Sequence, residues 1–211
     1  MSSEHKATAA LILAGGLSSR MGVEKATLSI NSKPLIRWAY DAATRFALRI
    51  YVSVHDEETI THYSPLLPPE ATFVKDVYDG PRSALLALLS GFTSIEEETI
   101  AVIPTDSPFV SERVMTYMVS RAKGFDLVVP MWPDGKVEAI HAIYSRLRTT
   151  PILQHLWSEG TLEVKEIPKY ARTLFVGTEN LQELDPSLIS LVDADTPGEF
   201  QSLRLISTGI H

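Results

Sequence analysis

Apolar residues gather along the chain in short runs at Thr8–Leu13, Ile50–Val54, Ala71–Val74, Thr99–Ile103 and Phe125–Val129. Runs of this length, without polar alternation, are those of strands buried on both faces. Between them the spacing becomes helical. Leu35, Ile36, Ala39, Ala42, Ala43 and Phe46 follow Pro34, and Leu85, Leu86, Leu88 and Leu89 follow Pro81, proline being suited to a first helical turn. Ser111 is a candidate N-cap for a third helix over Val114–Val119, with Glu112 near its positive end. Alternating strand and helix predicts a mostly parallel sheet between helical layers. The second half is less regular: the pattern predicts a strand over Val137–Tyr144, a helix over Thr150–Trp157 and a short strand over Thr173–Val176. A last helix is expected over Thr196–Leu203, with Glu199 at the capping-box position. Ligands of such sheets sit over the carboxyl ends of the strands, which directs attention to the loops after Leu13, Val54, Val74 and Ile103.

Composition narrows the picture. The 211 residues, 45% hydrophobic, suit one domain, and no repeat or linker divides them. Absence of cysteine excludes disulfides, thiolate metal sites and thiol chemistry, and favours an intracellular setting. A formal charge of −7 argues against a nucleic-acid partner. The apolar run Ala9–Ala14 is too short for a signal-peptide core, and no stretch approaches the roughly 20 residues that span a bilayer. The expectation is a cytoplasmic protein with no membrane partner.

The loop after the first strand carries the strongest chemical signal. Leu13-Ala14-Gly15-Gly16-Leu17-Ser18-Ser19-Arg20-Met21-Gly22, followed by Lys25, offers unobstructed backbone N–H groups and two cations to an anion, which is what a phosphate cradle needs. Its spacing is neither that of a P-loop nor that of a dinucleotide fold. Ile103-Pro104-Thr105-Asp106-Ser107-Pro108 brings a strand straight into a carboxylate held between prolines. Magnesium, bound by one or two carboxylates plus phosphate oxygens and water, is the fitting guest for Asp106. Asp193 and Asp195 alternate with apolar residues and offer a second metal carboxylate; the competing reading is helix capping, with Asp195 or Thr196 before Pro197. The six histidines show no ligand spacing, and His141, in an alternating strand, reads as a packed or half-exposed residue in preference to a ligand. Glu96-Glu97-Glu98 reads as a solvated loop or helix end, and Trp132-Pro133-Asp134-Gly135 as a turn, the alternative being an exposed indole at the sheet's carboxyl edge that stacks on a flat pterin or base.

Together these segments resemble the MobA-like nucleotidyltransferases of the molybdenum cofactor guanylyltransferase type. Leu13 to Gly22 with Lys25 matches that family's opening motif almost completely. Lys33-Pro34-Leu35-Ile36 is similar to its helix start, Asp76 and Asp79-Gly80-Pro81 to its Asp plus Gly-Pro segment, Asp106 to its strand-end Asp, and Asp193-Ala194-Asp195-Thr196-Pro197 to its late motif. The resemblance implies a single-domain Rossmann-like three-layer sandwich over residues 1–211, of the nucleotide-diphospho-sugar transferase type. It implies transfer of GMP from GTP to the phosphate of molybdopterin, magnesium as cofactor, and transient contact with other proteins of molybdenum cofactor biosynthesis. Arg20, Lys25 and Asp106 become the catalytic residues. Leu13, Ala14, Gly15, Gly16, Ser18, Lys25, Ser53, Asp76 and Asp106 become the nucleotide-binding set, and Asp106, Asp193 and Asp195 the metal set.

The departures all touch specificity. Arg82-Ser83-Ala84 replaces the family's Leu-Ala-Gly, Glu138-Ala139-Ile140-His141-Ala142 replaces Glu-Pro-Leu-x-Ala, and Ser53 stands where an asparagine is common. A CTP donor, another phosphorylated acceptor and a non-catalytic nucleotide-binding subunit are the alternative readings. The chemistry implied needs no general base, because a phosphate monoester is already an anionic nucleophile near neutral pH.

Overall fold

The computed structural model describes residues 8–14, 24–193 and 196–207. A seven-stranded sheet runs in the order β5-β4-β1-β6-β8-β7-β9, its strands being β1 (Thr8–Leu13), β4 (Arg49–Val54), β5 (Thr72–Lys75), β6 (Thr99–Pro104), β7 (Leu127–Met131), β8 (Ala142–Ser145) and β9 (Thr173–Gly177). Only β8 runs against its neighbours, pairing antiparallel with both β6 and β7. The expected mostly parallel α/β sandwich is what forms.

Alternate residues explain the layers. On β1, Ala10 and Ile12 enter one apolar cluster and Ala9 and Leu11 the other; on β6, Ala101 and Ile103 face Ile100 and Val102 in the same way. The first cluster is closed by α1 (Leu35–Ala43) and α4 (Glu112–Arg121), and the second by α3 (Ala84–Ser94) and α5 (Arg146–Ser158). Helix α3 is apolar nearly all round because it lies between the sheet and α5. Its fully buried Leu85, Leu88 and Leu89 each contribute about 1.5–3 kcal/mol by leaving water. At Gly91 a Cβ would stand 2.5 Å from Leu11 Cδ2, so glycine allows the helix its close approach to β1.

Caps fall where side-chain chemistry places them. Ser111 Oγ accepts from Val114 N at the start of α4, as the sequence predicts, and Ser83 Oγ accepts from Leu86 N at the start of α3. A small hairpin, β2 (Ser29–Ile30) with β3 (Lys33–Pro34), precedes α1, and Asn31 and Ser32 both take the left-handed conformation that its tight turn requires. Leu203 of α7 (Pro197–Ser207) packs against Ile30 and Leu35, tying the C-terminal helix to this hairpin.

Two expectations need correction. The strand expected over Val137–Tyr144 is shorter: Val137 makes an isolated bridge to Met131, residues 138–141 turn, and the strand proper spans Ala142–Ser145. The turn forms because buried Glu138 is drawn to Trp132 and Lys136, while His141 N donates back to Glu138 O. Nor is Glu96-Glu97-Glu98 merely solvated. Tyr51 donates to Glu97, and Ser145 donates to Glu98, anchoring β8 beside β6.

Candidate functional site

Register sets the site. Pro104, Leu13, Ser53 and Val74 align in one row across β6, β1, β4 and β5, so the residues that follow them emerge at the same end of the sheet. Three strand spacings, about 14 Å, separate the outer members of that row. Asp106, Ala14, His55 and Asp76 therefore line one cavity of about 170 Å³, together with Lys25, Arg82, Ser83 and Ile140. The chain reverses its direction of strand addition around β1, and at such a switch point an open parallel sheet leaves a crevice for a ligand.

The β6 end is held rigidly. Thr105 donates both its backbone N–H and its hydroxyl to Leu13 O, locking the turn that presents Asp106 to the end of β1. Lys25 Nζ lies 2.6 Å from Asp106 Oδ2, each side chain only 17% exposed. Lys25 opens a single helical turn, Lys25–Thr27, whose register is fixed by Leu28 N donating to Lys25 O at 3.0 Å. Ala14 N donates to Ser53 O at 3.1 Å, and Tyr63 hydroxyl donates to Ala14 O at 3.2 Å. Burial pushes the Tyr63 phenol well above its ordinary range, so it serves as a neutral donor.

Ser107, the residue after Asp106, donates its hydroxyl to Asp193 Oδ1. This brings the late motif against the β6 turn. The competing structural role is taken by Thr196: its Oγ1 accepts from Glu199 N at 3.2 Å while Glu199 Oε2 accepts from Thr196 N at 2.8 Å, the reciprocal capping box expected from the sequence. Among the described residues no cluster of three or more acidic or imidazole groups forms a ready-made metal cage. A two-carboxylate arrangement nonetheless fits magnesium, which takes its remaining ligands from phosphate and water. Asp106 and, through Ser107, Asp193 are the described carboxylates that such an arrangement would draw on.

At the other end of the row, Asp76 follows β5 and its N–H donates to Val54 O at 3.1 Å. Its Oδ2 lies 2.8 Å from His55 Nδ1. Ser53 is buried and lines the cavity between the two ends. Arg82 also lines it, with Nη2 3.2 Å from Asp56 Oδ2. Asp56 caps the helix α2 (Glu57–Tyr63), and the bonds it accepts from Thr59 hold its carboxyl below the usual range.

Of the residues singled out from sequence, Leu13, Ala14, Lys25, Ser53, Asp76 and Asp106 share this cavity. Asp193 adjoins it through Ser107. Gly15, Gly16, Ser18, Arg20 and Asp195 lie outside the described residues. Trp132 forms the expected turn, but its indole Nε1 donates to Glu138 Oε1 at 2.6 Å and it does not line the cavity. His141 is fully packed, the first of the two placements the sequence allowed. Sequence reasoning missed His55 and α2, although Asp56 followed by Glu57 and Glu58 is a readable helix start.

A parallel sheet with a lysine–aspartate pair and a second carboxylate along one strand-end cavity defines a nucleotide-handling α/β enzyme. Residues 10–170 match the MobA-like NTP transferase domain, and the chain belongs to that family of nucleotidyltransferases. It is 27% identical to a probable molybdenum cofactor guanylyltransferase of Methanosarcina mazei, covering 92% of this chain and 88% of that one. It is 28% identical to the molybdenum cofactor guanylyltransferase of Desulfosudis oleivorans, with 92% and 93% covered. The fold is shared with the crystal structure of molybdopterin-guanine dinucleotide biosynthesis protein A from Archaeoglobus fulgidus, at a TM-score of 0.84 and 21% identity over 96% of this chain and 100% of that one. Among the described residues, no helix is long and apolar enough to cross a membrane.

Proposed function

We propose that this chain transfers GMP from GTP to the phosphate of molybdopterin and releases pyrophosphate. The observation that carries the reading is the Lys25–Asp106 pair, fixed at the carboxyl ends of β1 and β6 in a cavity that extends to Asp76. A phosphate oxygen of the acceptor attacks the α-phosphorus, and the bond from that phosphorus to the bridging oxygen of the leaving pyrophosphate breaks. Lys25 neutralises charge that moves towards the leaving group; its pairing with Asp106 and its place on the Lys25–Thr27 turn set it in position before reaction, so little reorganisation is needed. Arg20 and the Gly15-Gly16 backbone, with Ser18, share this work by resemblance to the family motif.

Asp106, with Asp193 or Asp195, would hold magnesium. Bound there, the ion would supply electrostatic stabilisation to the phosphate oxygens. Asp106 has a second duty, since its carboxylate keeps the Lys25 ammonium in the cavity. At the far end, Ser53 and the Asp76 region surround the base. Guanine presents N1–H and a 2-amino group side by side, so a wall of acceptors favours it.

The names of the relatives support both substrates. Pyrophosphate release, measured with molybdopterin, magnesium and each of the four NTPs, tests the reading. GTP is expected to exceed CTP and ATP by at least about tenfold in catalytic efficiency, equivalent to ~1.4 kcal/mol. Equal rates with CTP overturn the guanine assignment, and no release with any NTP overturns the transfer itself.

A further inference from the structure

The base end of the cavity contains a detail that the family motif does not. Asp76 is the better buried partner of its pair, its side chain 10% exposed against 30% for His55. One of its oxygens, Oδ2, is engaged by His55 Nδ1 at 2.8 Å. The other, Oδ1, is shut away from solvent and has no hydrogen-bond partner among the described residues. Neither oxygen is presented freely to a ligand. The imidazole is the more exposed partner and lines the cavity.

A carboxylate oxygen accepts hydrogen bonds, so the tautomer of the imidazole that suits this contact carries its proton on Nδ1. Nε2 then has the lone pair. None of the hydrogen bonds among the described residues engages it. The backbone supports the arrangement from both sides: His55 directly follows Val54, whose carbonyl accepts the Asp76 N–H, so the two side chains leave adjacent strands at one level. Arg82, which lines the same cavity, is paired with Asp56 at 3.2 Å.

Resting on the nucleotidyltransferase reading, we infer that His55 is the residue that reads the donor base, through Nε2 as a hydrogen-bond acceptor, and that Asp76 is a positioning residue which fixes the tautomer. The ligand class is a purine nucleotide with N–H at position 1. Guanine and hypoxanthine bring a donor to that atom, whereas adenine brings a second lone pair, which the Nε2 lone pair repels.

Two near-isosteric variants separate reading from mere support. Gln at position 55 keeps an acceptor where Nε2 stands, and Asn keeps a donor where Nδ1 stands but has no atom at the outer position. Dissociation constants for GTP, ITP and ATP are measured by calorimetry on wild type, His55→Gln and His55→Asn, each shown to be folded by its thermal transition. Wild type is expected to favour GTP and ITP over ATP by about tenfold, His55→Gln to stay within about threefold of that ratio, and His55→Asn to lose at least about fivefold of it. Retained discrimination in His55→Asn overturns the inference, because the imidazole then only props the carboxylate. Wild type that binds GTP and ATP equally overturns the inference and the guanine assignment together, while pyrophosphate release leaves the transferase reading standing on its own.

Discussion

The cavity has a carboxylate at each end, and each carboxylate has a nitrogen base within 2.8 Å, yet the two pairs are built for different work. Asp106 faces Lys25 at 2.6 Å, a permanent cation whose partner sits on a turn locked to β1. Asp76 faces His55 at 2.8 Å, a ring that is a hydrogen-bonding group first and a cation only when protonated. On the proposed reading, the first pair places charge where phosphate charge moves, and the second places directional donors and acceptors where a neutral base must be distinguished. Charge acts over distance and tolerates some misplacement, but recognition of a base edge depends on which nitrogen bears a proton. The expected consequence is that damage at the β6 end lowers turnover with every substrate, and damage at the β5 end lowers choice among substrates.

The largest effect should come from Asp106→Asn. The amide keeps the shape but neither holds magnesium nor answers the Lys25 charge, so turnover should fall by about 10²–10³, near the loss of one preorganised electrostatic group. Single-turnover pyrophosphate release measures it, and a folded variant within a factor of a few of wild type would remove Asp106 from the metal site.

A third titratable group sharpens the contrast by having no side-chain partner among the described residues. Neither ring nitrogen of His141 bonds to a described residue, and desolvation holds its pKa down from the ordinary 6.5 to about 4, despite the opposing charge of Asp185. The folded state therefore keeps the ring neutral while the unfolded chain binds a proton between those values. Stability is complete above about pH 6.5 and is lost as pH falls towards 4, by on the order of 3 kcal/mol in all. Tm measured from pH 7 to pH 4.5 should decline, and His141→Leu should flatten part of that decline. An unchanged slope in the variant would assign the acid sensitivity elsewhere.

Lys25→Ala should slow turnover at least about tenfold, or ~1.4 kcal/mol, and Lys25→Arg should recover only part of it, the planar guanidinium being bulkier than the ammonium it replaces. A rise in the Michaelis constant for GTP with kcat unchanged would show ground-state binding alone. Asp76→Ala should do the reverse: kcat with GTP within about threefold of wild type, and preference for GTP over ATP reduced about fivefold. If both variants lowered kcat alike and left preference intact, the division between the two ends would collapse.

Much of the β6 end is legible in the sequence because its constraints are local. A buried strand, prolines on both sides and a lone acid define Asp106 before any partner is known, and a glycine-rich loop ending in Lys25 names its partner's chemistry. The β5 end depends on register between separate strands. His55 opens the loop after Val54, one of the strand ends the sequence points to, but nothing local gives it a partner, and the pairing of β4 with β5 is what brings it to Asp76. The β7–β8 region is illegible for a related reason: Val137–Tyr144 reads as one strand, but the bonds from Trp132 and Lys136 hold Glu138 in a turn and shorten β8. Conversely, Thr196 and Glu199 are readable from three residues' spacing, since a capping box is complete within one helical turn.

That cap supplies the smallest expected effect and a control for the rest. Thr196→Ala removes the hydroxyl that accepts from Glu199 N and frees the start of α7, which should lower stability by about 1 kcal/mol, as caps of this kind generally do. Helix α7 packs on the Lys25 side of the molecule through Leu203 and Phe200 in the apolar cluster with Ile30 and Leu35, contacts that do not use the Thr196 hydroxyl. Turnover with GTP and the preference for GTP over ATP should therefore both stay within about twofold of wild type at a temperature well below Tm. Chemical denaturation and the nucleotide panel, run on one preparation, check the two halves of the statement. A strong loss of turnover without loss of stability would mean that the Thr196 hydroxyl acts beside Asp193 in the site and is more than a cap.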